Sequence, residues 1–128
     1  MEELSEAEVK AVRDANRILA KVLKDEPKLK PAGKESWEIE VQPFDGDPWL
    51  PSRTDDASGK ILINRRHPLY TKRIKSRRSL RNYLLHFSVV ELSGRFNESF
   101  ARLLYKVEQT CMAKKRRTHA KRHPRGDT

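Results

Sequence analysis

The chain has 128 residues, a net charge of +10, an apolar fraction of 36% and one cysteine. That length suits one domain with a modest core, and the apolar residues cluster, which argues against wholesale disorder. No apolar run approaches the roughly 20 residues of a membrane span, and the acidic start MEELSEAEVK lacks a signal peptide's basic flank. A lone Cys111 excludes an internal disulfide, so the expected setting is intracellular and reducing, in cytoplasm, nucleoid or nucleus.

The first predicted element is a helix within residues 1–26. Ser5 and Glu8 have the S-x-x-E spacing of a capping box, with Leu4 and Val9 at the positions of a hydrophobic staple. Val9, Val12, Ile18, Leu19, Val22 and Leu23 follow at near-helical spacing, until Pro27 and Pro31 stop the helix. DEPKLKPAGK reads as a connector.

A β element is expected over residues 36–64. SWEIEVQPF alternates Trp37, Ile39 and Val41 against Glu38, Glu40 and Gln42, the pattern of a half-buried strand. Glu38 and Glu40 read as a solvated face rather than an acid/base pair. DGDPWLPSRTDDASG is too rich in turn formers to be assigned a strand, and KILIN supplies the second strand, apolar on both faces. Two strands alone are marginal and need a helical cover. Trp37 and Trp49 are expected to anchor the intervening loop to the core. An exposed Trp49 would instead suggest a protein-binding patch.

Residues 76–112 are expected to form a helical hairpin. Leu80, Tyr83, Leu84 and Phe87 make one apolar stripe, and Leu85, Val89 and Leu92 a second, so this helix is central or lies against a partner. Both stripes are assigned to internal burial. Ser93-Gly94 should end it, and Phe96, Phe100, Leu103, Leu104, Val107 and Cys111 continue as a further amphipathic helix. Residues 114–128 carry no large apolar side chain and are expected to be a disordered basic tail. The resulting fold class is α+β: an N-terminal helix, a small two-stranded element, a helical hairpin and a tail, with residues 1–113 as the domain.

The charge is placed unevenly along this plan. Residues 1–59 hold fourteen acids against nine bases, while residues 65–81 hold eight bases and no acid, and residues 114–128 seven bases against one acid. Such asymmetry points to a polyanionic partner, usually nucleic acid. Arg77, Arg78 and Arg81 sit near a helix start, where positive charge opposes the macrodipole and no acid lies nearby in sequence. The candidate phosphate contacts are Arg65, Arg66, Lys72, Arg73, Lys75, Arg77, Arg78 and Arg81, with Lys114, Lys115, Arg116, Arg117, Lys121 and Arg122 of the tail. Tyr70 is placed to add aromatic contact, whereas Tyr83 is assigned to core. Flexible Lys and Arg meet phosphates without discriminating bases, so sequence readout is not expected.

His119 and His123 are four apart but lack a carboxylate or thiolate nearby, so they are not read as a metal pair. His67, before Pro68, reads as a turn residue bonded to backbone, and Cys111 as packing. No catalytic residue and no cofactor is assigned, and the expected function is non-enzymatic. The alternative is a protein-interaction or oligomerisation module that buries the second stripe of the central helix.

GKILINRRHPLYTK followed by a long apolar helix resembles the region near the C-terminus of some prokaryotic GHKL-type ATPases, the gyrase, histidine kinase, MutL and heat-shock chaperone superfamily. The matching positions are Ile61, Ile63, Asn64, His67, Pro68 and Tyr70. The strand around Trp37 and the DPW at residues 47–49 are compatible with it, and the similarity spans residues 37–109. The superfamily's Asn-bearing helix, Asp-x-Gly turn and Gly-rich lid are missing from this sequence. The resemblance therefore implies a non-catalytic part of such an ATPase, or a free-standing relative of that part.

Overall fold

The computed structural model describes residues 3–122, with side chains as far as Met112. In chain order the elements are α1 (Glu6–Lys24), β1 (Glu38–Gln42), β2 (Ser52–Asp55), β3 (Lys60–Asn64), α2 (Pro68–Arg73), α3 (Arg77–Phe96) and α4 (Phe100–Arg122). The class is α+β.

The capping box at the start of α1 forms as its spacing demands. The Ser5 hydroxyl accepts from the Glu8 N–H, and the Glu8 carboxylate accepts from the Ser5 N–H. Both bonds satisfy backbone donors that a helix start would otherwise leave open. Val9 stays half exposed, so the staple contributes little here. The buried stripe is instead Ala11, Ala15, Ile18, Leu19 and Val22, and it carries two carboxylates, Glu8 and Asp14.

The sheet has three strands in the order β1-β3-β2. β3 is central, parallel to β1 and antiparallel to β2. The third strand, Ser52–Asp55, corrects the two-strand expectation. Its SRTD sequence shows no apolar alternation because β2 is an edge strand that buries only Ser52 of its four side chains. That Ser52 hydroxyl donates to Glu91 on α3 at 2.6 Å, which ties the edge to the helical layer. β1 behaves as its alternation requires. Ile39 and Val41 point into the core, while Glu38 and Glu40 remain outside and pair with Lys60 of β3 at 2.6 and 3.0 Å.

One apolar cluster joins α1, β1, β3, α3 and α4. α3 lies at its centre, against α1, α2, α4 and the sheet. Both predicted stripes of α3 are buried within the chain: Leu80, Tyr83 and Leu84 on one, Leu85, Val89 and Leu92 on the other. Trp37 closes the far end, its ring edge-on to Phe96 and its indole N–H donating to the Leu29 carbonyl at 3.0 Å.

Two boundaries differ from expectation for physical reasons. Gly94 does not end α3, since a helix tolerates an interior glycine at roughly 1 kcal/mol. Termination falls to Asn97, which takes the left-handed conformation at φ 54° and returns its N–H to the Ser93 carbonyl. α4 is described as far as Arg122, so the first part of the expected tail carries helical backbone. Between Ala113 and Arg122 the chain offers mostly good helix formers and no breaker before Pro124, and a run of cations suits a helix C-terminus. The rest of the expected tail, residues 123–128, lies outside the described residues.

Candidate nucleic-acid interface

The site begins where β3 ends. Asn64 is fully buried and its side chain holds both sides of the joint. Its carbonyl oxygen accepts from the N–H groups of Phe44 and Arg66, at 3.1 and 2.9 Å. Its amide donates to the Pro48 and Leu50 carbonyls, at 3.4 and 3.0 Å. One side chain thus fixes the 43–51 loop against the start of the basic segment. Replacing Asn64 by Ala should cost about 2–3 kcal/mol in urea denaturation, because several buried backbone groups lose their partners together.

After Asn64 the chain turns through His67, whose Nδ1 accepts from the Leu69 N–H at 3.1 Å and caps α2. That is the turn role expected of it. Pro68 occupies the first turn, where its missing N–H costs nothing. Ser76 caps α3 in the same manner, accepting from the Ser79 N–H at 3.0 Å. Neither α2 nor α3 has an acid in its first turn.

Two of the eight cations are paired with acids of α1, and of these Arg65 is drawn off the surface while Arg77 stays exposed. Arg65 turns inward onto Glu8, its Nε donating to Oε2 at 2.9 Å and its Nη2 to Oε1 at 2.8 Å. Arg77 donates through Nε to Asp14 at 2.6 Å. The compensating acids, absent from the local sequence, come from the buried face of α1. Tyr70 is corrected as well: it is fully buried and its hydroxyl donates to Glu8 at 2.5 Å. Burial would raise the Glu8 pKa, but hydrogen bonds from Arg65, Tyr70 and the Ser5 backbone outweigh it and hold the carboxyl at about 2. Burial and the neighbouring Glu8 carboxylate push the Tyr70 phenol well above its usual value. This knot of Glu8, Arg65 and Tyr70 is a structural fastener between α1 and the joint.

The other six cations remain outside this pairing. Lys72, Arg73, Lys75 and Arg78 are exposed, and among the described residues they make no ion pair. Arg81 is half-buried and donates to the Asn82 side-chain oxygen at 2.9 Å. Arg78 and Arg81 also line a groove of about 600 Å³ between α3 and α4, whose apolar walls include Leu85, Leu104 and Val107. Arg66 is exposed and approaches the fully exposed Asp45 only to 3.8 Å, a loose contact in solvent. Lys114, Lys115, Arg116, Arg117, Lys121 and Arg122 fall on the distal part of α4.

Trp49 departs from expectation in the opposite sense to Tyr70. It does not anchor its loop but stands 69% exposed, with its ring edge-on to His67 at 6.0 Å. The signal available in the sequence was its setting, DPWLP, where flanking prolines and a helix-incompatible context leave little core for it to enter.

Among the described residues no three His, Cys, Asp or Glu side chains gather as metal ligands would. His123 of the predicted non-metal pair lies outside the described residues. No described helix is long and apolar enough to cross a membrane. Comparison with family models, with curated proteins and with solved structures finds no match.

Proposed function

We propose that the chain is a non-enzymatic nucleic-acid-binding module whose contacts are mainly to phosphates. The observation that carries this reading is the division of the basic segment. The acids that face it, Glu8 and Asp14, are spent on Arg65 and Arg77, while Lys72, Arg73, Lys75 and Arg78 are left exposed without an ion pair among the described residues. A folded protein tolerates such an uncompensated cluster most readily when a polyanion supplies the missing charge. The bases of distal α4 add a second cationic segment. A relation to the GHKL-type ATPases belongs to the same proposal, supported by the order of β3 ending in Asn64, the His67-capped α2, and then α3 and α4. In that relation the module would be an accessory part that brings nucleic acid to a partner holding the nucleotide site.

The test is the salt dependence of binding to labelled oligonucleotides, read by fluorescence anisotropy. Each neutralised phosphate contributes a slope of about −0.9 on duplex DNA, or −0.7 on single strands, to the plot of log affinity against log salt. Replacing Lys72, Arg73, Lys75 and Arg78 together by Gln should flatten that slope by roughly two to four units and weaken different sequences alike. The fold should stay native by circular dichroism, since these side chains lie in solvent. Absent binding at low salt, or a slope unchanged in the quadruple variant, defeats the proposal.

A further inference from the structure

The 43–51 loop spends several specific bonds on holding an indole in water. The Trp49 N–H donates to Asp47 Oδ1 at 2.9 Å, and the carbonyls on either side of Trp49, those of Pro48 and Leu50, accept from the buried Asn64 amide. Pro51 extends the attachment, its carbonyl accepting from the Asn64 N–H at 2.9 Å. The indole edge then rests on His67, which is itself buried and fixed as the cap of α2. Yet 69% of Trp49 stays exposed, and Leu50 and Leu69 beside this joint are exposed at 39% and 43%. A large aromatic that contributes little to the core is thus carried on a loop whose backbone the buried Asn64 holds on both sides.

The segment that continues from its His67 contact is cationic. Arg66 leaves the joint next to His67, and along the open face of α2 Leu69, Lys72 and Arg73 follow at i, i+3 and i+4. The opposing acids are weakly placed to neutralise this face. Asp47 is occupied with the Trp49 backbone, and Asp45 is fully exposed and only loosely near Arg66.

We infer that this face binds single-stranded nucleic acid, with Trp49 stacking on a base while Arg66, Lys72 and Arg73 take the adjoining phosphates. The inference rests on the phosphate-binding reading above and names its substrate class. Base faces are hidden inside a duplex but offered by a single strand, and an exposed indole accompanied by cations is what sequence-tolerant stacking requires. Charge complementarity favours a polyanion over an apolar protein patch, since exposed Arg66, Lys72 and Arg73 follow in the same segment. Trp49 thereby supplies the aromatic contact that the buried Tyr70 cannot.

The full chain is titrated with an oligothymidylate of roughly 12 nucleotides and, separately, with a duplex of matched length. Anisotropy gives affinity and intrinsic tryptophan emission reports stacking. Binding of the single strand should quench the emission of the wild-type chain, and the quench should vanish in Trp49→Phe, where only the buried Trp37 emits. Trp49→Ala should weaken the single strand on the order of tenfold while leaving duplex affinity and salt slope unchanged, and Trp49→Phe should recover part of the loss. The exposed ring makes both variants safe for folding, which circular dichroism verifies. If both ligands bind with the expected salt slope but Trp49→Ala weakens neither, or weakens both equally, the stacking inference is overturned and the phosphate reading stands. Binding of neither ligand at low salt overturns both. Self-association that disappears in Trp49→Ala, without any oligonucleotide effect, assigns the indole to a protein contact and also overturns it.

Discussion

Glu8→Ala should lower the stability of the folded chain by about 3–5 kcal/mol, measured as a shift of the urea midpoint at constant slope. Glu8 is fully buried and its two oxygens accept from the Ser5 N–H, from Arg65 through both Nε and Nη2, and from the Tyr70 hydroxyl. Truncation removes the carboxylate that faces a largely buried guanidinium and leaves a buried phenol without its acceptor. The cost of the stranded groups is what makes breaking such a pair expensive, whatever its net worth when intact.

The same carboxylate sets the acid limit of the fold. Its pKa falls from an ordinary 4.5 to about 2 on folding. A depressed carboxylate contributes stability that is complete above its unfolded value and disappears as pH falls through its folded value. The window is therefore about pH 4.5 down to 2, and the contribution is on the order of 3 kcal/mol. Glu26, clamped by Arg102 and Lys106 of α4 and likewise held at about 2, loses stability over the same window. Glu8→Gln should therefore flatten the stability profile between pH 5 and 2 without abolishing its slope. A profile identical to wild type would place the knot outside the energetics of folding.

Much of this architecture was legible because it rests on local rules. The capping box, the alternation of β1, the two stripes of α3 and the cap at His67 each follow from side chains a few residues apart. β2 was hidden because an edge strand buries so little that SRTD carries no apolar signature. The Glu8–Arg65 and Asp14–Arg77 pairs span 57 and 63 residues, so no local rule reaches them. A trace did exist in α1, since Glu8 falls in line with Ala11, Ala15, Ile18 and Val22, a carboxylate on the stripe that faces the core. A charge in that register asks for a buried cation, and the nearest acid-free basic run begins at Arg65. For the site, composition located the cationic surface but could not divide it, because exposure is decided by which acids of α1 the fold brings across. Trp49 and Tyr70 exchanged roles for the same reason. Whether an aromatic is core or surface depends on what lies over it, and only Tyr70 has Glu8 and Tyr83 above it.

The second large effect concerns the centre of α3. Val89→Glu should abolish the cooperative unfolding transition or leave an insoluble chain. Val89 is 2% exposed on the stripe it shares with Leu85 and Leu92, at 2% and 1%, and α3 is covered by α1, α4 and the sheet. A carboxylate there loses its hydration and gains no cation, a cost of several kcal/mol against a total stability typically of 5–15. Val89→Ala, which only removes methyl groups, should remain folded and lose about 1–3 kcal/mol. The pair of variants separates burial within the chain from burial between chains. Were the stripe an oligomer interface, Val89→Glu would give a folded monomer with native circular dichroism, and light scattering would show the loss of assembly. Such a monomer would also return the apolar stripe to the list of partner surfaces. With the stripe consumed internally, a partner would have to use side chains that the described fold leaves exposed, among them the cations Lys72, Arg73, Lys75 and Arg78 and the apolar Trp49 and Tyr105.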